Sequence, residues 1–342
     1  MKELLPRDID ILSLLISEYV ATAAPVASTT LASRGEIGLS SATVRNVLAK
    51  LEETGLLTHP HTSSGKIPTS AGLRYYVNTI LNKRVLSEEE QLSIERQLGS
   101  SKTSMEEILK RTGKILSMVS NYTGLVVLPK SGTITFKHVE FLPISAKKIL
   151  GIFVTREGTV HNRMIDVGGD FTYSDLEKVS NYCNRAFYGY TLDAAIQKVA
   201  KELEEEQVEC DRLLSHALLW SRELFSEASA DKLVVEGETS FLDEPEFSDI
   251  DKLKQVMDAL EEKKGILYIL NRAAESDEIC VFIGGESNYD AVSNCSIVTT
   301  PYKKQGQILG TLGVIGPVRM DYSHVIPTVD FTAKIVSSLL EA

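Results

Sequence analysis

Arg45 and Asn46 are adjacent side chains of the two types that read DNA bases most directly. Arginine suits the O6 and N7 atoms of guanine, asparagine suits N6 and N7 of adenine, and a small alanine lets a thymine methyl group approach. Apolar residues recur around this pair at helical spacing, which predicts an amphipathic helix with one buried stripe. The buried stripe is Val44, Val47, Leu48 and Leu51. The opposite face carries Ala42, Arg45, Asn46 and Ala49, with Ser41, Thr43 and Lys50 as flanking candidates for DNA contact.

The residues after this helix favour base reading over the alternative of an ordinary solvated helix face, on which Arg and Asn are also common. Residues 56–58 and 66–67 have the composition of two short strands, and 59–65 form a turn of small and polar residues between them. Such a hairpin would lie as a wing beside a DNA groove. Its candidate contacts to the DNA backbone are His61, Thr62, Ser63 and Lys66.

Further helices are needed to position the recognition helix and the wing. Helical spacing predicts one helix at 6–20, a short one at 27–34 and another at 71–81. Ser40 or Ser41 is placed to cap the recognition helix, and Gly55 is placed to end it. Helix, short helix, recognition helix and hairpin is the order of a winged helix-turn-helix, which we assign to residues 1–85.

These segments resemble the HrcA family of bacterial repressors of heat-shock chaperone operons. The resemblance rests on SSATVRNVLAKLEETGLL, HPHTSSGKIPT and GLRYYV, with EYVATAAPVAS upstream and weaker similarity beyond. Three positions depart from the pattern: Lys66 stands where arginine is usual, Leu73 where an aromatic is usual, and Ala27 where glycine is usual. Lysine keeps the charge but loses bidentate phosphate geometry, so we expect a weaker wing contact.

The resemblance implies a function and partners. It implies a repressor that binds the CIRCE inverted repeat upstream of groE and dnaK operons, and whose activity the GroE chaperonin maintains. It also implies a GAF-like domain interrupted by an inserted dimerisation domain. A dimer has a physical motive, because one winged helix covers a short half-site and a symmetric pair reads an inverted repeat.

The rest of the chain predicts an α+β fold with an antiparallel sheet. A polar helical connector is expected at 86–103, with Ser87 and Glu90 forming a capping box. The GAF-like domain is assigned to 104–144 and 246–342. Its expected helices are 105–119 and 329–340, and its expected strands are 124–128, 133–141, 279–283, 296–300 and 308–315.

The inserted domain is assigned to 145–245. A hairpin of strands 149–155 and 160–167 is expected there, with 233–236 as a third strand and helices at 174–188, 192–208 and 211–226. The last helix has more apolar surface than a peripheral helix needs. Candidate dimer contacts on it are Leu214, Leu218, Trp220 and Phe225; the alternative is a core within the domain.

Charge is divided unevenly along the chain. Residues 1–84 hold nine Lys and Arg against seven Asp and Glu, while the remainder holds 27 against 40. The basic excess therefore lies on the segment expected to meet polyanionic DNA. No apolar run approaches the ~18 residues that a membrane span needs, and no export signal is recognisable, so we expect a cytoplasmic protein.

Catalytic and cofactor motifs are not recognisable. The glycines at 284–285 and at 310, 313 and 316 lack the spacing of a phosphate-binding loop, and the four cysteines match no zinc pattern. We therefore expect no enzyme activity, no metal and no cofactor. A second hypothesis is a winged-helix regulator whose GAF-like domain senses a small molecule, which predicts a pocket lined by convergent polar groups.

Overall fold

The computed structural model describes residues 4–33, 38–60, 65–80, 85–99, 105–129, 135–156, 158, 160–169, 171–205, 216–222, 224 and 232–341. The chain forms two compact units. The main unit comprises Met1–Leu128 and Leu233–Ala342, and the inserted unit comprises Pro129–Lys232. The insertion therefore begins at 129 rather than at the predicted 145, and it ends at 232 rather than 245.

The helices and strands are numbered in chain order. The helices are α1 (Pro6–Thr22), α2 (Ser28–Ser33), α3 (Ser41–Glu53), α4 (Ser70–Ile80), α5 (Glu88–Leu98), α6 (Met105–Ser120), α7 (Tyr173–Phe187), α8 (Leu192–Glu205), α9 (216–222), α10 (Ile250–Glu262), α11 (Lys264–Ala273) and α12 (Tyr322–Glu341). The strands are β1 (Leu57–Thr58), β2 (Ile67–Pro68), β3 (Thr123–Val127), β4 (Phe136–Ser145), β5 (Lys148–Thr155), β6 (Val160–Asp166), β7 (Leu233–Glu236), β8 (Cys280–Ile283), β9 (Cys295–Lys304) and β10 (Gln307–Pro317).

The recognition helix α3 has a defined start and end. The Ser40 hydroxyl accepts a hydrogen bond from the Thr43 N–H at 3.2 Å, which caps the first turn and is worth about 1 kcal/mol. Gly55 has a φ of 77° beyond the last turn, where a residue with a side chain would be strained. The Leu56 N–H returns to the Leu51 carbonyl at 3.0 Å, completing a Schellman motif. The predicted cap and terminator are both confirmed.

The main unit contains a five-stranded antiparallel sheet in the order β7, β3, β10, β9, β8. Side chains alternate between its faces, as strand geometry requires. Val126, Val298 and Leu312 share a core with buried residues of α6 and α12. Leu125, Ile297 and Ile315 share a second core with α10 and α11. Helices therefore cover both faces of the sheet.

Two strand predictions need correction. The strand predicted at 133–141 corresponds to β4, which pairs with β5 in the inserted unit and not with the main sheet. The segment 233–236, predicted as a third strand of the insertion, is β7 and pairs with β3. A strand's alternation determines its faces but not its partner, which explains both errors. Helices α10 and α11 were not predicted at all.

The inserted unit has an antiparallel sheet in the order β4, β5, β6, packed against α7, α8 and α9. Leu218 is fully buried and Trp220 is 4% exposed in its core. The Trp220 ring contacts those of Phe141 and Phe171, with centroids at 5.9 and 4.8 Å. The prediction of Leu218 and Trp220 as dimer contacts is therefore corrected in favour of the alternative, a core within the domain. Leu214 and Phe225 lie outside the described residues.

Among the described helices, none combines the length and the hydropathy that a membrane crossing requires.

Candidate nucleic-acid interface

The two faces of α3 differ in burial as the sequence predicts. Val44, Val47, Leu48 and Leu51 are buried, with at most 3% of each side chain exposed. Ala42, Arg45, Asn46 and Ala49 are exposed. Arg45 forms no ion pair with any residue that the structure describes. Its guanidinium is therefore available to an external acceptor.

The first turn of α3 presents hydroxyl groups. Ser41 and Thr43 are half-buried, and the Thr43 Oγ1 lies 3.0 Å from the exposed Ser40 Oγ. Backbone N–H groups at the start of a helix are not paired within it, and the helix dipole favours anions there. This end of α3 is therefore chemically suited to a phosphate group.

Lys50 has an internal partner that the sequence did not reveal. Its ammonium lies 2.6 Å from Oδ2 of Asp8 in α1, and the Asp8 side chain is completely buried. Lys50 is predicted as a phosphate contact, but this ion pair directs its charge into the protein. The pair ties α1 to the recognition helix.

The hairpin after α3 is short and joined to a third backbone segment. Leu57 pairs with Pro68 and Thr58 with Ile67. The Val26 N–H donates to the Lys66 carbonyl and the Lys66 N–H donates to the Val26 carbonyl, both at 2.9 Å. The segment between α1 and α2 thus pairs with the hairpin next to β2, as a third extended backbone segment. His61, Thr62 and Ser63, the predicted contacts at the turn, lie outside the described residues.

Lys66 is bound to Glu52 of the recognition helix. Its ammonium lies 2.5 Å from Glu52 Oε2, while His59 Nδ1 lies 2.5 Å from Oε1 of the same carboxylate. Hydrogen bonds from Lys66 and then His59 lower the pKa of Glu52 below its usual value. The lysine predicted to hold DNA phosphate is therefore already neutralised by an acidic neighbour.

A close backbone contact holds the hairpin at the start of α4. The Thr69 hydroxyl donates to the Gly55 carbonyl at 2.7 Å and accepts from the Gly72 N–H at 3.1 Å. A Cβ at position 72 would lie 2.1 Å from the Leu56 carbonyl oxygen, so only glycine fits. The recognition helix, hairpin and α4 are consequently locked together. The sequence signal for this contact is the Thr69 cap followed by glycine in the first helical turn.

A polar cavity lies in the inserted unit, between β4 and α7. His138, Glu140, Tyr173 and Glu177 are among its lining residues. The Asn184 side chain holds both backbone groups of Val139 there, at 2.8 and 2.9 Å. The hypothesis of a small-molecule sensor predicts a pocket in the GAF-like domain, and this cavity belongs to the other unit.

Comparison with known proteins identifies relatives over the whole chain. Residues 106–326 match the family model described as the HrcA protein C terminal domain. The chain is 36% identical to the heat-inducible transcription repressor HrcA of Syntrophobacter fumaroxidans and 38% identical to that of Geobacter sulfurreducens; each alignment covers 100% of this chain and 99% of the relative. A crystal structure of a hypothetical protein superposes with a TM-score of 0.68 at 20% identity, covering 99% of both chains.

The helices α1, α2 and α3 and the following hairpin have the order of a winged helix-turn-helix regulator, and Arg45 and Asn46 are exposed on α3. The solved structure supports the fold alone. The family model and the full-length relatives go further: this chain belongs to the HrcA family of heat-inducible transcription repressors.

Proposed function

We propose that the protein is a transcriptional repressor that binds an inverted-repeat operator as a homodimer. The observation that carries this proposal is the exposed face of α3, with Arg45 free to meet DNA while the opposite stripe is buried. The name that the relatives carry, heat-inducible transcription repressor, supports it. In this role the protein acts by occupying DNA and catalyses no reaction.

Each predicted contact residue has a part in the proposed complex with DNA. Arg45 meets guanine and Asn46 meets adenine through paired hydrogen bonds, while Ala42 and Ala49 leave room for thymine methyl groups. Contacts to the DNA backbone come from Ser41 and Thr43 at the helix start and from the hairpin residues His61, Thr62 and Ser63. Lys50 and Lys66 mainly position the recognition helix and the wing.

The dimer forms through the outward face of the inserted sheet. Leu142, Leu150 and Met164 stand opposite one another in a row across β4, β5 and β6. Met164 is 46% exposed and Val160, on the same face, is 59% exposed. A row of uncharged apolar side chains is self-complementary, as a two-fold interface between identical copies requires.

The operator is the CIRCE inverted repeat upstream of groE and dnaK operons, and the GroE chaperonin maintains the active repressor. The family resemblance of the α3 and hairpin segments supports both parts. When unfolded proteins occupy the chaperonin, the repressor becomes inactive and the chaperone genes are transcribed. The proposed partners are therefore DNA, a second copy of this chain and the GroE chaperonin.

Footprinting of the purified protein on a duplex carrying CIRCE tests the proposal. We expect protection of both half-sites at a protein concentration that leaves a scrambled duplex unprotected. Adding purified GroE chaperonin should increase the active fraction. Equal protection of the scrambled duplex would contradict specific operator binding, and an unchanged active fraction would contradict the chaperonin part alone.

A further inference from the structure

Two arginines join the winged helix-turn-helix to the rest of the main unit. We call α1 to α4 with the β1–β2 hairpin the head, and the rest of the main unit, which contains the five-stranded sheet, the sheet domain. Arg74 of α4 donates its Nε–H to Glu286 Oε1 at 3.1 Å and also binds Glu286 Oε2 through Nη2. The same Nη2 donates to the Val281 carbonyl at 2.6 Å.

These contacts close the edge of the sheet at β8, the last strand in its order. The Ile283 N–H donates to the Glu286 carboxylate at 2.9 Å. Arg74 donates to the carbonyl of Val281, two residues earlier in β8. Groups two residues apart point to the same side of a strand, so both belong to the edge that faces away from β9. The Gly-Gly-Glu-Ser turn at 284–287 therefore presents a carboxylate to the head.

Arg319 forms the second connection, at the other end of the head. Its Nη1 donates to the Val20 carbonyl in the last turn of α1 at 3.0 Å. Its remaining donors bind Glu244 and Glu246, in the segment that follows β7. Only 12% of the Arg319 side chain is exposed. One guanidinium thus joins a helix end of the head to two carboxylates of the sheet domain.

Apolar packing alone does not fix the angle between the head and the sheet domain. Leu73 and Val77 of α4 belong to the same continuous core as Ile283 and Val325 of the sheet domain. Burial of such groups is favourable but non-directional. A planar guanidinium whose donors are all bound adds a fixed geometry: Arg74 binds one carboxylate through two donors, and Arg319 binds two carboxylates and a carbonyl through one donor each. The core therefore holds the head in place, and the two arginines set its angle.

We infer that Arg74, Glu286 and Arg319 are positioning residues that determine which spacing between half-sites the dimer accepts. The inference rests on the proposed function, because spacing matters only to a dimer on an inverted repeat. In such a dimer the angle of each head on its sheet domain contributes to the distance and rotation between the two recognition helices. Loosening the head should cost selectivity for spacing and leave contacts to a single half-site unchanged.

The test compares Arg74→Lys and Arg319→Lys with wild type on three duplexes. One carries CIRCE, one carries CIRCE with its spacer lengthened by about five base pairs, or half a helical turn, and one carries a single half-site. The control is Arg111→Lys, because Arg111 pairs with Glu107 inside one helix at 2.5 Å. Lysine keeps the charge and removes the two-pronged geometry. Melting temperatures establish that each variant is folded, and Glu286→Gln replaces Arg74→Lys if that variant is not.

For each variant we compare the affinity for the native CIRCE duplex with the affinity for the lengthened duplex, and we expect this ratio to fall by about tenfold. Binding both half-sites at once raises affinity by ~100-fold or more, and a loosened head loses part of that gain. Half-site affinity should be unchanged, and Arg111→Lys should resemble wild type. An unchanged ratio in the variants of both connections would overturn the inference and leave the proposed function intact. If wild type itself does not distinguish the two spacers, the proposed dimer on an inverted repeat fails.

Discussion

Lys66 and Glu52 tie the returning strand of the hairpin to the recognition helix through an ion pair of 2.5 Å. The pair brings an acidic side chain to the surface that we propose approaches DNA. The negative charge of Glu52 would repel phosphate groups, but Lys66 neutralises it. The structure thus assigns Lys66 a part in holding the wing, in place of a free cation.

Glu52→Gln should release Lys66 to a DNA phosphate. Each phosphate neutralised adds about 0.9 to the slope of log affinity against log salt, so we expect a steeper salt dependence by up to about one. Titrations of random duplex DNA at several salt concentrations measure this slope. The matched control is Glu53→Gln, which removes an exposed charge from the next position on α3. Equal slopes for the two variants would contradict the pairing of Lys66 with Glu52.

Lys50→Ala should destabilise the fold rather than only weaken DNA binding. It removes the 2.6 Å partner of the buried Asp8 carboxylate, which keeps only Arg7 at 3.8 Å and the Leu5 N–H at 3.4 Å. Loss of the main partner of a buried acceptor costs about 1–3 kcal/mol. Chemical denaturation measures the free energy of unfolding. The double variant Asp8→Asn with Lys50→Ala should recover part of the loss, because the remaining side chain is neutral. If Lys50→Ala weakened DNA binding at unchanged stability, Lys50 would be the phosphate contact that the sequence predicts.

Met164→Glu should produce a folded monomer, because the exposed Met164 side chain lies on the proposed dimer face. Sedimentation measures the mass in solution, and circular dichroism measures the fold. Trp220→Ala is the contrasting variant: Trp220 is buried, so we expect a loss of about 3–5 kcal/mol in unfolding free energy. A stable monomer from Trp220→Ala, with Met164→Glu still dimeric, would restore the original prediction of the dimer face.

The sequence predicted local features of the main unit well. The periodicity at Val44 to Leu51 predicted the buried face of α3, and the Ser87–Glu90 capping box is present, with the Ser87 N–H 2.9 Å from Glu90 Oε2. Such features depend on residues three or four positions apart. A helix cap or stripe is therefore visible in the chain itself.

Long-range pairs were not predictable in the same way. Asp8 and Lys50 are 42 positions apart, and Arg74 and Glu286 are 212 apart. No periodicity links such residues, because the fold alone brings them together. The same limit explains why β4 was assigned to the wrong sheet and why the apolar face of α9 was predicted as a dimer surface. An apolar stripe requires burial, but it does not identify what covers it.

The Arg74–Glu286 pair predicts an effect of pH on stability. Burial raises the pKa of Glu286, but the hydrogen bonds from Arg74 and the Ile283 N–H outweigh it, so the pKa is lowered overall. A carboxyl whose folded pKa lies below its unfolded value stabilises the protein fully above the unfolded pKa, about 4.3 for glutamate. The stabilisation is lost as the pH falls through the folded pKa.

Melting temperatures of wild type and Glu286→Gln, measured from neutral to acidic pH, test this effect. We expect wild type to melt higher near neutral pH and the difference to shrink below about pH 4.3, as the carboxyl gains its proton. A difference that persists unchanged through the acid range would show that the charge of Glu286 is not what stabilises the pair.

The central claim is that the exposed face of α3 reads the operator. The most direct test measures the ratio of affinities for CIRCE and for random DNA in the variant Arg45→Ala. A bidentate contact from arginine to guanine is worth about 1–3 kcal/mol of discrimination, so we expect the ratio to fall by roughly 5- to 150-fold. Arg111→Ala, at an exposed arginine of α6, should leave the ratio as it is in wild type. An unchanged ratio in Arg45→Ala would contradict the assignment of α3 as the base-reading helix.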